Sequence, residues 1–134
     1  MPLLDAFEGI GATYKAKLKD AGFNTTDELL ENGATPAGRK DIAEKSGISE
    51  KLILRWINMA DLFRIKGVGE EYSDLLEAAG VDTVPELAQR NAENLHKKIE
   101  EVNTEKNLVR RSPSLKEIME WINQAKDLPR KINY

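Results

Sequence analysis

Cysteine is absent from the 134 residues, and His96 is the sole histidine. Disulfides, thiol catalysis and thiolate metal sites are thereby excluded, and a metal or acid–base centre built on imidazole has one donor at most. No carboxylate pair stands at a recognisable spacing from a partner, so catalysis has no visible machinery and the chain reads as a non-enzyme. Aromatic residues make up only 6% of a chain rich in Leu, Ala, Glu and Lys, a balance that favours helices over strands. No apolar run approaches the roughly 18 residues that a membrane span needs. The opening MPLLDAFEGIG lacks the basic start and long apolar stretch of a secretion signal, so the expected location is cytoplasmic, with no membrane partner. A basic excess is also missing. Lys and Arg total 20 against 23 Asp and Glu, a net charge of -3, whereas nucleic-acid binders often carry the opposite sign.

What the chain does have is an internal repeat. FEGIGATYKAKLKDAGFNTTDEL (7–29) aligns with IKGVGEEYSDLLEAAGVDTVPEL (65–87) at an offset of 58, with nine of 23 positions identical. Both glycines of the Gly-apolar-Gly turn recur, as do Tyr14 with Tyr72, Leu18 with Leu76, Ala21-Gly22 with Ala79-Gly80, Thr25 with Thr83, and Glu28-Leu29 with Glu86-Leu87. Further along, Trp-Ile-Asn-X-Ala recurs at 56–60 and 121–125, an offset of 65. The second copy therefore carries about seven more residues, assigned to the polar run EEVNTEKNLVRRSPS at 100–114.

Local signals within each copy agree with one another. After Gly11, the residues Tyr14, Leu18 and Ala21 follow helical spacing, and Gly22 stands where a left-handed cap ends a helix. Thr25 with Glu28, and Thr83 with Glu86, fit capping boxes that start short second helices. Thr35-Pro36 opens a third helix that Gly47 closes, and Ser49 starts a longer one carrying Trp56. Ser114 with Glu117 caps its equivalent in the second copy, which carries Trp121. The expected fold is all-α. It consists of two pseudo-symmetric repeats, 1–64 and 65–134, packed as one compact domain because units this small bury little apolar surface alone.

The apolar-X-Gly-apolar-Gly turn, the helix after it and the Ala-Gly at that helix's end resemble the helix-hairpin-helix motif. The whole chain is similar to a bacterial family of unknown function built from tandem helix-hairpin-helix units. The resemblance implies that hairpin amides and the next helix's N-terminus face a phosphate of one DNA strand without reading bases, and that hairpin carbonyls in some members hold a monovalent cation. No other cofactor and no metal centre is implied. Carried over by position, the candidates are Gly9, Ile10 and Gly11 in the first copy and Gly67, Val68 and Gly69 in the second.

Where DNA-binding members place a basic or small polar residue after the second glycine, this chain has Ala12-Thr13-Tyr14 in one copy and Glu70-Glu71-Tyr72 in the other. Glutamates suit the positive end of a helix and repel a phosphate from it, so the second turn reads as structural. The first stays usable, with Thr13 as a hydrogen-bond donor and Lys15, Lys17 and Lys19 supplying charge against Asp5, Glu8 and Asp20. Tyr14, Tyr72, Trp56 and Trp121 recur at matching positions and are expected in the core. Lys97-Lys98 and Arg110-Arg111 read as a solvated face interspersed with Glu100, Glu101 and Glu105. SGISEKLILRWIN (46–58) has the outline of a helix-turn-helix reader, but its second helix is too apolar to reach base edges. Two functions stay open: sequence-independent binding of a DNA or RNA backbone through the first hairpin, and a protein-interaction or scaffold module. Oligomeric state is not legible.

Overall fold

The computed structural model describes residues 10–133. The described residues form eight α-helices and no strand: α1 Ala12–Asp20, α2 Thr26–Asn32, α3 Pro36–Ser46, α4 Glu50–Leu62, α5 Glu70–Ala78, α6 Val84–Ala88, α7 Ala92–Lys106 and α8 Leu115–Asp127. They divide into two compact units, one running to Asp61 and joined by residues from Lys131 onward, the other Leu62–Arg130.

In the first unit, α1 ends in two hydrogen bonds that need a glycine. Gly22 N donates to Lys19 O (2.9 Å) and Phe23 N to Leu18 O (2.8 Å), with Gly22 at φ +97°. This is the 5→2 and 6→1 pair that satisfies the last carbonyls of a helix, completed by the buried Leu18 and Phe23. Thr35 caps α3 through Gly38 N (3.1 Å), with Pro36 at the first helical position, and Gly47 at φ +72° closes it. The long α4 buries Ile53, Trp56, Ile57 and Ala60. Their i, i+3, i+4, i+7 spacing is one stripe of a helix, and each large member contributes about 1.5–3 kcal/mol by leaving water.

The second unit repeats these devices at matching positions. Gly80 N donates to Glu77 O (3.0 Å) and Val81 N to Leu76 O (2.8 Å), with Gly80 at φ +95°. On α8, Ile118, Trp121, Ile122 and Ala125 are buried with the same spacing as on α4. Tyr72 packs on Trp121 at 5.3 Å between ring centroids and 53° between planes; in the first unit Tyr14 packs on Trp56 at 5.4 Å and 59°.

Two expectations, the threonine capping boxes and the core placement of Tyr14, need correction. The full capping box occurs at Ser114–Glu117. At Thr25 the hydroxyl instead donates to the Glu28 carboxylate (3.3 Å) while accepting from Glu28 N (3.1 Å), and at Thr83 the bond from Glu86 N is long, 3.5 Å. The polar run at 100–114 is part helix and part loop. Its first part continues α7, which is 15 residues long against 11 for α3, until Asn107 turns left-handed at φ 49°. The Asn103 side chain then holds the loop by both its ends, donating to Val109 O (3.2 Å) and accepting from Val109 N (3.0 Å). Finally, Tyr14 is not a core residue: it remains 37% exposed at the edge of Trp56, which is itself buried.

Candidate functional site

Each Gly-apolar-Gly turn delivers the chain into a helix whose N-cap is a glycine, with no side chain of its own to cap the first amides. Ile10 and Val68, the apolar residues between the glycines, are buried and anchor the turns from below. Gly11 and Gly69 are the N-caps of α1 and α5, in extended backbone, and neither can supply a capping side chain. The other six helices all begin with a hydroxyl or amide cap: Thr25, Thr35, Ser49, Thr83, Asn91 and Ser114. A hydroxyl, amide or carboxylate cap is better than glycine by only a few tenths of a kcal/mol, and these two helices forgo that margin.

The reason is not lack of room. Among the described residues, a Cβ built on Gly11 or Gly69 meets nothing within 4 Å, and neither residue has a positive φ. Gly67 differs on both counts, since its φ is +95° and an added Cβ would lie 3.0 Å from Trp121 Nε1. The first glycine of the second turn is thus explained by the fold. The second glycine of each turn is not explained by crowding or by φ among the described residues. Gly9 lies outside the described residues.

Around the first turn, Ala12, Thr13 and Tyr14 are exposed and the first turn of α1 has no acidic residue. Thr13 and Lys17 are four apart and share a face, whereas Lys15 points to the other side of the helix. Lys17 Nζ lies 5.9 Å from the centre of the Tyr14 ring. The candidates therefore separate: Gly11, Thr13 and Lys17 come together with Tyr14, and Lys15 stands apart, half-buried.

The second turn is committed internally. The Gln124 side chain brackets the Lys66 peptide group, accepting from Lys66 N (2.8 Å) and donating to Lys66 O (3.1 Å). Tyr72 Oη donates to Arg111 O (3.0 Å). Glu70 and Glu71 occupy the first turn of α5. Arg111, half of a basic doublet, is spoken for: it grips Glu117 at both ends of its fork, Nη1 to Oε1 at 2.7 Å and Nη2 to Oε2 at 3.0 Å. These bonds, with the Ser114 amide, hold the Glu117 carboxyl down at about 2. Asp82 shows the opposite perturbation, raised first by burial and then by its neighbours Glu86 and Glu77. His96 is paired with Glu100, one turn along α7, at 3.2 Å.

Among the described residues no group of three or more His, Asp or Glu side chains could hold a metal ion, and no helix is long and apolar enough to cross a membrane. Comparison with known families gives one result. Residues 8–128 match the family described as Domain of unknown function (DUF4332). The chain belongs to this family. No solved structure matches it.

Residues that shape the surface but left no signal in the sequence are Gly33, Gly38 and Arg39. A Cβ on Gly33 would run into the Ile57 Cδ1 methyl and lie 2.9 Å from Leu29 O, and one on Gly38 would run into the Asn32 carbonyl oxygen. Only glycine fits either place. Arg39, 7% exposed, donates to Gly33 O (2.9 Å) and Asn133 O (2.9 Å).

Proposed function

We propose that the chain is a non-enzymatic module of tandem helix-hairpin-helix units whose first hairpin binds the phosphate backbone of a nucleic acid without sequence preference. The observation that carries the reading is the pair of glycine N-caps. Glycine at the N-cap of α1, where no described residue crowds a Cβ and nothing strains the backbone, offers no side chain of its own to the amides of α1. Such amides and the helix dipole favour an anion. Only α1 combines a glycine N-cap with a first turn free of acid, a hydroxyl at Thr13 and a cation at Lys17 one turn further. At α5, Glu70 and Glu71 oppose the same ligand. A monovalent cation beside the first hairpin's carbonyls belongs to the same proposal.

Binding measured by anisotropy with generic duplex and single-stranded DNA should be weak and should fall steeply with salt. Gly11→Asp, which places a carboxylate over the α1 amides, should remove it, and Lys15→Glu with Lys17→Glu should weaken it strongly. Absence of binding at low salt would rule the reading out. A protein-interaction or scaffold module is the alternative, and Glu70, Glu71 and the net charge of -3 favour it. A partner retained after nuclease treatment would establish that alternative.

A further inference from the structure

Residues 131–133 belong with the first unit, although the chain reaches them from the second. Ile132 is buried, and Asn133 is held by both main-chain groups: its N–H donates to Ala34 O (2.7 Å) and its carbonyl accepts from Arg39 Nη2 (2.9 Å). The side chains of Lys131 and Asn133 are exposed. This is how a groove reads an extended peptide, by backbone hydrogen bonds plus one apolar side chain, and it leaves the flanking residue types open.

The surface that does the reading is braced by contacts outside the segment. Gly33 is wedged against Ile57 and the Leu29 carbonyl, Gly38 against the Asn32 carbonyl, and the Thr35 cap ties the start of α3 to Gly38 N. Arg39 Nη1 is anchored on Gly33 O (2.9 Å), which orients the guanidinium so that Nη2 faces outward to a carbonyl. A donor held in place by its own neighbours loses little freedom on binding, so a short segment can be recognised. The Asn133 carbonyl gives this buried guanidinium an acceptor in addition to Gly33 O.

We propose that Gly33, Ala34 and Arg39 form a binding site for an extended peptide, filled in this chain by residues 131–133. The ligand class is set by the contacts: an aliphatic side chain such as isoleucine, then a residue other than proline, because the N–H to Ala34 O is required. A peptide of this kind from another protein would compete with the internal segment. This inference is independent of the phosphate-binding reading.

Two measurements on the full chain test it. In native-state hydrogen exchange the Asn133 amide should open well before the Leu29 amide inside α2; equal rates would make the segment an inseparable part of the fold and overturn the proposal. In an NMR titration with the peptide LPRKIN, Ile132→Asp should show saturable shifts at the Ala34 and Arg39 amides, at an affinity about tenfold above that of the unmodified chain, whose own segment competes at high effective concentration. The same peptide with aspartate in place of isoleucine should produce none. Asn133→Pro, which removes the hydrogen bond and keeps the isoleucine, serves as a second opened variant. A folded opened variant that binds the peptide no better than the unmodified chain contradicts the proposal.

Discussion

Gly11 and Gly69 hold the same position at the head of the same kind of helix, yet their surroundings differ in charge and in commitment. After Gly69 come two glutamates, a tyrosine tied to the Arg111 carbonyl, and before it a peptide bracketed by Gln124. After Gly11 come alanine, threonine and a tyrosine with over a third of its surface exposed. The residue 65 positions before Gln124 is Met59, which has no amide to offer. Shared residues build the frame in both units; the differing ones set the charge and the hydrogen bonding around each turn. A repeat thus separates residues that the fold demands twice from those it does not, and the proposed phosphate site draws on the second set.

The largest effects should come from breaking the shared frame. Trp56→Ala and Trp121→Ala each empty a buried indole site, and each should cost about 3–5 kcal/mol in denaturant unfolding. A clear inequality between them would show that the two stripes are not equivalent supports. Next comes a position where the units differ: Gly38→Ala drives a methyl into the Asn32 carbonyl and should cost about 1–3 kcal/mol. Asn94, at the same place after the Asn91 cap of α7, is exposed and should tolerate alanine within about 0.5 kcal/mol.

The turns themselves give a sharper contrast. Gly67→Ala meets both a positive φ and the Trp121 indole, and thermal unfolding should register a loss of about 1–2 kcal/mol. Gly11→Asp should instead raise stability by a few tenths of a kcal/mol, roughly the advantage of a carboxylate cap over glycine. Loss of stability on that replacement would mean that Gly11 serves the fold.

The smallest effects are in pH dependence, and they carry opposite signs within the second unit. Glu117, held near 2 against an ordinary 4.5, contributes stability that is complete above pH 4.5 and is lost as pH falls through about 2. Arg111→Gln should remove that contribution and flatten the acid limb. Asp82 is raised above its ordinary 3.8, so its contribution is present below that value and lost as pH rises through the raised one. At neutral pH its charge is a burden, and Asp82→Asn should raise the melting temperature there but not at pH 3.

Much of the frame was legible because its signals are local. Thr35-Pro36, Gly22, Gly47, Gly80 and Ser114–Glu117 each act within a few residues of themselves, so a short window of sequence contains both the cause and the effect. Arg39 was invisible for the opposite reason, since its partner Asn133 is 94 positions away and no periodicity links them. Gly33 and Gly38 looked like ordinary loop and helix glycines; the atoms that demand them, on Ile57, Leu29 and Asn32, are fixed only by packing. The extent of α7 was hidden by its polarity, because only Leu95, Ile99 and Val102 of its 15 residues are buried. Of the candidate site, the positions could be read from the repeat. That Gly11 and Gly69 are N-caps with no described residue within 4 Å of an added Cβ appears only in the structure.

The most direct test of phosphate binding at the first turn compares two single replacements in one salt-titrated DNA-binding experiment. With a fluorescent generic oligonucleotide at low salt, the unmodified chain and Gly69→Asp should bind alike, with affinity falling linearly on a log–log plot against salt, while Gly11→Asp should not bind. Loss of binding on Gly69→Asp with Gly11→Asp unaffected, or no binding by the unmodified chain, would contradict it.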